Sequence, residues 1–249
     1  MLAVGRVERL GGSVILSDAS LAGHLQEASF DPAAWPDARP VTGHGRGRGT
    51  TLFIRSGERD WVLRHYRRGG QVARLSEDAF VWTGAERTRC FREWRLLARL
   101  HAAGLPVPRP VAARYVRRGL LYRADLITWR LAGVMPLSAR LAAGPLPEAL
   151  WWQLGHCIGR FHAAGVFHAD LNAHNLQLRD DDKVFLLDFD RGRIMAGAGG
   201  WPRRNLARLQ RSLARLAGDG VAGCGAGEWS ALLAGHAAGV AGAAPSPSA

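Results

Sequence analysis

Residues His168–Asp190 read HADLNAHNLQLRDDDKVFLLDFD, and this stretch decides the predicted architecture. A polar loop, HADLNAHN, comes first, and the apolar runs LQL and KVFLL then lie on either side of three consecutive aspartates. Short apolar runs on either side of a turn-forming cluster are typical of brief strands in a hairpin. The stretch therefore predicts a polar loop, a small hairpin and an acidic segment directly after its second strand.

Three oxygen-bearing side chains in this stretch carry the predicted chemistry. Asn175 comes five residues after Asp170, and Asp188 follows thirteen residues later in a DFD segment. Their order and spacing resemble the kinase catalytic loop HRDxxxxN and its DFG partner, with Asp190 in place of the usual glycine. Phosphoryl transfer needs a carboxylate near the incoming hydroxyl and oxygen ligands for Mg²⁺. We therefore predict Asp170 as the base and Asn175 and Asp188 as metal ligands. Because Asp188 follows the apolar run VFLL, we also expect a cation to offset its burial.

A glycine-rich segment, VTGHGRGRGT, lies far upstream of this loop and directly before two strand-like runs, TLFIRS and DWVLRHYR. Glycines allow backbone amides to approach phosphate without obstruction by side chains. We therefore predict that Gly45, Gly47 and Gly49 line the phosphates of a nucleotide. A flexible linker has the same composition, and the neighbouring arginines have no assigned direction.

Kinases place a lysine on the strand after the glycine-rich loop and pair it with a glutamate on the next helix. The only lysine of this chain falls between the HADLNAHN loop and DFD, so it cannot take that position. Strand alternation along DWVLRHYR puts Val62 and Arg64 on one face, which predicts Val62 against the adenine and Arg64 in place of the lysine. Glu93 shares a helix face with leucines, so Arg64 is its expected partner, unless Glu93 lies half exposed at the edge of that face. His65 and Arg67 face the other way and are weaker alternatives.

The composition of the chain predicts its cellular compartment and the kind of partner that it binds. The formal net charge is +12, from 33 basic against 21 acidic residues, and nearly all of the basic residues are arginine. Such a surface suits nucleic acid, an anionic membrane face or a phosphorylated substrate. A genome rich in G and C also favours arginine codons, whatever the function. Charged residues interrupt the N-terminal apolar run, and the cysteines form no pair with disulfide spacing, so we expect a cytoplasmic protein with reduced thiols.

The fold class predicted from these elements is α+β, a protein-kinase-like fold of two lobes with a β-rich first lobe and a reduced helical second lobe. Residues 1–40 are predicted as an N-terminal extension and 41–130 as the first lobe. This lobe is predicted to contain the glycine-rich loop, a hairpin of TLFIRS and DWVLRHYR, one long helix over 86–103, and a second hairpin of VAARYV and LLYRADLIT. Residues 131–240 are predicted as the second lobe, with the catalytic loop, the DFD segment and helices that include 203–216. Residues 241–249, AGAAPSPSA, are predicted to be a disordered tail.

The segments GRGTTLFIR, WVLRHYRRGG, TGAERTRCFREW, GLPVPRPVAAR, YRADLIT, FHAAGVFHADLNAHNLQL and LLDFDRGRI together resemble the 3-deoxy-D-manno-octulosonic acid (Kdo) kinase family. That family is related to the lipopolysaccharide core heptose kinases, and the resemblance spans roughly residues 41–213. It implies ATP-dependent phosphorylation, with Mg²⁺, of the 4-hydroxyl of Kdo on a lipid A precursor. It also implies a peripheral protein at the cytoplasmic face of the inner membrane, where an anionic surface is a second partner and nucleic acid is not one.

Two alternatives stay open on the residues alone. The first is a kinase with another acceptor, either a core heptose or a small molecule such as an antibiotic. The second is a basic module without enzymatic activity that binds membrane or nucleic acid, for which the basic helix over 203–216 is the best support. Fewer than 60 residues follow DFD. A long activation loop and a peptide-binding lobe hardly fit in that length, which favours an acceptor that is not a protein.

Overall fold

The computed structural model describes residues 5–21, 23–41, 51–67, 78–197 and 199–242. The chain divides into two compact units. The first comprises Met1–Gly104 with Pro108–Leu131, and the second comprises Leu105–Val107 with Ala132–Ala249. Gly45, Gly47 and Gly49 lie outside the described residues, as do residues 243–249 of the predicted tail.

The first unit is built on an antiparallel sheet. Its described strands are β1 (Gly5–Leu10), β2 (Ser13–Asp18), β3 (Arg39–Pro40), β4 (Thr51–Ser56), β5 (Arg59–His65), β6 (Phe80–Val81), β7 (Pro110–Arg118) and β8 (Leu121–Trp129). They are ordered β1-β2-β7-β8-β5-β4-β3, and β6 pairs with β8 off this path. Because β2 pairs with β7, residues 5–18 contribute two strands to this sheet, whereas the sequence analysis assigned residues 1–40 to an N-terminal extension before the first lobe. The local sequence of β1 and β2 is weakly patterned, and their pairing with a strand about a hundred residues away is what organises them.

Two predicted hairpins are present. β4 pairs with β5 from Thr51↔Arg64 to Ser56↔Arg59, around the turn at Gly57, where φ is +60°. β7 pairs with β8 around Gly119, which also has positive φ. Glycine adopts this backbone region without steric cost, which explains its place in both turns. Trp61 and Leu63 of β5 point into the core of the unit, and Val62 and Arg64 alternate to the other face.

One helix, α1 (Arg89–Ala102), packs on this sheet and begins three residues later than predicted. Its buried positions follow the 3.6-residue period expected of an amphipathic helix. They comprise Cys90, Phe91, Glu93, Trp94, Leu96, Leu97, Ala98 and Leu100. A glutamate in this apolar set is only 2% exposed, so the alternative in which Glu93 lies half exposed is wrong.

The second unit combines short strands with helices. Its described elements are β9 (Val134–Pro136), α2 (Leu137–Ala143), α3 (Glu148–Ala163), β10 (Val166–Phe167), β11 (Leu176–Arg179), β12 (Val184–Leu186), β13 (Arg193–Ile194), α4 (Trp201–Gly218) and α5 (Ala226–Ala241). β11 pairs with β12 and with β9, and β10 pairs with β13. The predicted small hairpin of LQL and KVFLL is therefore confirmed. In the part of the chain that the structure describes, no helix is both long and apolar enough to span a membrane.

Glycines bring α3 and α5 into backbone contact. A Cβ atom built on Gly155 or Gly159 would overlap backbone atoms of α5, and one built on Gly235 or Gly239 would overlap backbone atoms of α3. Each pair is spaced four residues apart, so both glycines of a helix lie on the same face. This close approach packs α5 along α3.

Candidate active site

The loop between β10 and β11 holds its shape through the side chain of Asn172. Its Oδ1 accepts hydrogen bonds from the backbone N–H groups of His174 (2.8 Å) and Asn175 (3.1 Å). Its Nδ2 donates to the backbone carbonyl of Asp170 at 3.1 Å. An asparagine side chain that bonds backbone two residues on is the local turn chemistry expected of this residue type. Hydrogen bonds within the loop therefore fix the backbone conformation on which Asp170 lies.

His168 joins this loop to the segment that carries Asp188. Its Nδ1 accepts a hydrogen bond from the backbone N–H of Asp170 at 3.2 Å, so Nε2 is the protonated nitrogen that donates to the carbonyl of Leu187 at 2.8 Å. Burial lowers the pKa of His168, even though Asp188 and Asp170 act in the opposite direction. A neutral imidazole at this position is therefore a structural link, and both predicted carboxylates lie close enough to affect it electrostatically.

A backbone hydrogen bond joins Asn175 to Leu187, the residue before Asp188. The N–H of Leu187 donates to the carbonyl of Asn175 at 2.9 Å, and the side-chain Nδ2 of Asn175 donates to the carbonyl of Asp170 at 2.9 Å. Because the nitrogen of this amide is used within the loop, its oxygen is the atom suited to a cation. The backbone contacts bring Asp170, Asn175 and the Asp188 segment together, as the spacing predicts.

Asp188 has two unexpected properties. It is exposed, so the expectation that burial would require a cation at this carboxylate is wrong; β12 ends at Leu186, two residues before it. Its φ is +62°, a backbone region that residues other than glycine rarely adopt and that is enriched at functional sites. The adjacent Phe189 is buried, with its ring 5.8 Å from that of Phe161 and 4.8 Å from that of His168. Packing of Phe189 thus holds the segment while Asp188 itself is exposed.

The residues present fit a magnesium ion in the donor atoms that they offer. Mg²⁺ is usually bound by one or two protein carboxylates together with waters and substrate phosphates. Asp188 and Asn175 supply hard oxygen donors of that kind. No group of three or more His, Cys, Asp or Glu side chains in the described ranges is arranged to hold a metal. When bound, the ion would neutralise charge on the phosphates.

In the first unit, Arg64 and Glu93 form the predicted ion pair. Arg64 Nη2 donates to Glu93 Oε2, and the hydroxyl of Tyr66 donates to the same oxygen at 2.6 Å. The guanidinium also lies 4.6 Å from the centre of the Tyr66 ring. Burial and the Glu93 carboxylate raise the pKa of Tyr66 well above its usual value, so the phenol stays a donor. The buried glutamate is held by two side chains, one of which the sequence reasoning did not assign.

The neighbouring candidates on β5 take other partners. His65 Nδ1 contacts Asp125 Oδ1 at 2.6 Å and Nε2 contacts Asp78 Oδ2 at 3.3 Å, and the hydrogen bond to Asp125 raises the pKa of this histidine. His65 therefore belongs to the opposite face, as alternation predicts. Val62 is half-buried on the Arg64 face, and its contact with adenine stays a prediction.

Helix α4 carries functional residues that sequence reasoning missed. Asn205, Arg208 and Ser212 all bond the loop that contains Asp170. They recur at intervals of three and four residues, so one face of the helix presents a polar stripe beside its leucines. Polar residues at this spacing in a leucine-rich helix indicate that the helix contacts a polar segment, and this pattern is present in the sequence. The sequence analysis used only the leucine spacing and the basic residues of this helix.

The second unit thus has a loop of the kind that kinases use for base and metal ligands, and the first unit has the arginine–glutamate pair on strand and helix. Together these features define a phosphotransferase that acts on a hydroxyl group. The comparison with known families agrees: the model of the lipopolysaccharide kinase (Kdo/WaaP) family matches residues 33–235. The chain therefore belongs to this family, and the predicted family is confirmed.

Similar proteins are named 3-deoxy-D-manno-octulosonic acid kinase. The one from Vibrio parahaemolyticus is 43% identical over 204 residues, covering 82% of this chain and 85% of its own. The one from Stenotrophomonas maltophilia is 47% identical over 214 residues, covering 85% and 84%. The one from Photobacterium profundum is 41% identical over 215 residues, covering 85% and 91%. The likeness thus extends over nearly the whole length of each relative.

Proposed function

We propose that this chain transfers the γ-phosphoryl group of ATP to the 4-hydroxyl of Kdo on a lipid A precursor. The observation that carries the proposal is the likeness to proteins named Kdo kinase, at 41–47% identity over 82–85% of the chain. Likeness of that extent includes both the loop around Asp170 and the strand that carries Arg64. The proposal also includes a protein-kinase-like arrangement of two lobes, with the predicted limits of the second lobe at residues 131 and 240.

In the proposed reaction the acceptor hydroxyl gives its proton to the Asp170 carboxylate. The acceptor oxygen forms a bond to the γ-phosphorus, the bond from that phosphorus to the bridging oxygen breaks, and ADP leaves with the electron pair. Asp170 suits this role because its side chain is 51% exposed and its backbone is held by the Asn172 and His168 contacts. Asn175 and Asp188 would hold Mg²⁺ through their oxygens, and most of the catalysis would come from positioning and charge.

On the nucleotide side, Arg64 would take the place of the usual lysine. Its side chain is 22% exposed, so it can reach a phosphate while it pairs with Glu93 and lies against the Tyr66 ring. An arginine offers planar donors suited to phosphate oxygens. Gly45, Gly47 and Gly49 would cover the phosphates, and Val62 would pack against the adenine.

The proposed site of action is the cytoplasmic face of the inner membrane, with the protein bound peripherally. The net charge of +12 supports an anionic surface as a partner. On α4 the arginines at 203, 204 and 215 are exposed. Each basic side chain near such a surface contributes about 1 kcal/mol.

The experiment incubates the purified chain with γ-labelled ATP and Mg²⁺ and offers four acceptors separately: a Kdo-bearing lipid A precursor, free Kdo, a heptose of the core and an aminoglycoside antibiotic. We expect label on the Kdo lipid, and we expect phosphorus NMR of the product to place the phosphate on the 4-oxygen. Asp170→Asn is the matched inactive control. Label on the heptose or the antibiotic in preference to Kdo would contradict the proposed acceptor. Binding of an acceptor without transfer of label would contradict the proposed kinase activity.

A further inference from the structure

Helix α4 contacts the loop around Asp170 at three successive positions on one face. Asn205 Oδ1 accepts from the backbone N–H of His168 at 3.1 Å, and its Nδ2 donates to the carbonyl of the same residue at 2.7 Å. Ser212 Oγ accepts from the backbone N–H of Ala173 at 3.2 Å. Asn205 and Ser212 are 2% and 5% exposed. These buried bonds fix the distance of α4 from the backbone on both sides of Asp170.

Arg208 lies between these two anchors on the same face of α4. Its Nε and Nη2 both donate to Asp170 Oδ1, at 3.0 and 2.6 Å. The side chains of Arg208 and Asp170 are 46% and 51% exposed. Exposed ion pairs contribute little to stability, so this pair is not explained as a support for the fold. Two donors on one oxygen restrict rotation of the carboxylate, and Oδ2 is not used by the pair.

We propose that Arg208 is a positioning residue for phosphoryl transfer, an inference that rests on the proposed function. It holds Asp170 through Oδ1 and leaves Oδ2 directed at the acceptor. The proton of the acceptor hydroxyl passes to Oδ2 while the acceptor oxygen bonds to phosphorus and ADP departs. Arg208 keeps its own protons throughout, and Asp170 later returns the transferred proton to solvent.

The positive charge of Arg208 adds a second effect. An anionic acceptor, such as a sugar acid on a lipid, must bring its hydroxyl next to a carboxylate base. A guanidinium beside that base reduces the repulsion between the two negative groups. Arg208 therefore fits an acceptor of negative charge, which is the class of the proposed lipid substrate.

The test compares Arg208→Gln, Arg208→Lys and Arg211→Gln with the unchanged chain. Arg211 is the matched control because it is an exposed arginine one turn further along α4. We expect Arg208→Gln to lower kcat by about 10- to 100-fold, because a side chain of this kind sets the geometry of the base. The KM for ATP should change less than about twofold, since the contact is with the base. Arg208→Lys should recover part of kcat, and Arg211→Gln should match the unchanged chain.

A second measurement separates positioning from a structural role. If Arg208 acts through Asp170, the double variant Asp170→Asn with Arg208→Gln is no slower than Asp170→Asn alone. Additive losses, or equal kcat values for Arg208→Gln and Arg211→Gln, would overturn the proposal. The comparison is run on whichever acceptor the unchanged chain uses, water included. Failure to label the Kdo lipid then counts against the proposed function only. The ratio of the kcat values of Arg208→Gln and Arg211→Gln still tests the role of Arg208.

Discussion

The two units each contain an arginine–carboxylate pair, and the pairs differ in burial. In the Arg64–Glu93 pair the side chains are 22% and 2% exposed, and Tyr66 gives the glutamate a second donor. In the Arg208–Asp170 pair they are 46% and 51% exposed. A buried charge that loses its partner is costly, whereas an exposed one is solvated by water. The first pair should therefore matter for folding and the second for chemistry.

The largest expected effect is on stability at the buried pair. Glu93→Gln should lower the free energy of unfolding by about 3–5 kcal/mol, because it leaves the Arg64 guanidinium without its counter-charge. Urea unfolding followed by tryptophan fluorescence measures this. The matched control is Glu86→Gln, which breaks an exposed pair with Arg95, and should cost less than about 1 kcal/mol. Equal losses of unfolding free energy in Glu93→Gln and Glu86→Gln would show that burial does not make the Arg64–Glu93 pair more important for stability than the exposed Arg95–Glu86 pair.

At the exposed pair the expected effect is on turnover. Asp170→Asn should reduce kcat by about 10²-fold or more, the scale of a lost general base. The same variant should unfold within about 1 kcal/mol of the unchanged chain, because its carboxylate is exposed. Steady-state kinetics and a urea curve on one preparation test both parts. Near-normal turnover would remove Asp170 from the role of base.

A pH effect should come from His162, a buried histidine near the end of α3. His162 Nδ1 lies 2.8 Å from His236 Nε2, and burial, with His236 next, lowers the pKa of His162 to about 4. The unfolded chain takes up this proton near the ordinary value of 6.5, so it binds more protons than the native chain between these values. Stability should therefore fall by roughly 2–3 kcal/mol as pH drops from about 6.5 to 4.

Urea unfolding at several pH values measures this slope. His162→Gln should make the slope smaller, while His24→Gln, at an exposed histidine, should leave it unchanged. The comparison uses slopes rather than absolute stabilities, so a general loss caused by the buried substitution does not obscure the result. A slope of undiminished size in His162→Gln would assign the pH dependence to other groups.

The smallest expected effect concerns nucleotide binding at the buried pair. Arg64→Ala should raise the KM for ATP by about tenfold, since a charge-assisted hydrogen bond to phosphate contributes about 1.5 kcal/mol at the low end of its range. The KM for the acceptor should change less. Arg64→Lys keeps the counter-charge of Glu93 and should restore most of the ATP affinity. An unchanged KM for ATP in Arg64→Ala would separate the arginine from the nucleotide.

Local pattern was sufficient for much of the site. Strand alternation placed Val62 and Arg64 on one face, and helical periodicity placed Glu93 on the apolar face of its helix. The pairing of Arg64 with Glu93 across 29 residues could therefore be predicted. The spacing of Asp170, Asn175 and Asp188 also predicted segments that the backbone does bring together. Their roles with ATP and Mg²⁺ stay predictions.

Other features needed contacts between distant segments. Alternation and helical period fix which face a side chain occupies, but not which segment covers that face. For this reason the leucine spacing predicted the helix α4. It did not predict the contact between Arg208 of this helix and Asp170, which is 38 residues away in the sequence. The same reason accounts for β1 and β2, whose place in the sheet depends on β7.

The sequence by itself determined the family, the two hairpins and the helix faces, because each depends on residue types at short spacings. Only the tertiary structure decided that Asp188 is exposed with positive φ, that α4 holds the loop, and that the glycines of α3 and α5 meet. These features depend on packing between segments far apart in the chain, and packing is set by the shape of the whole unit.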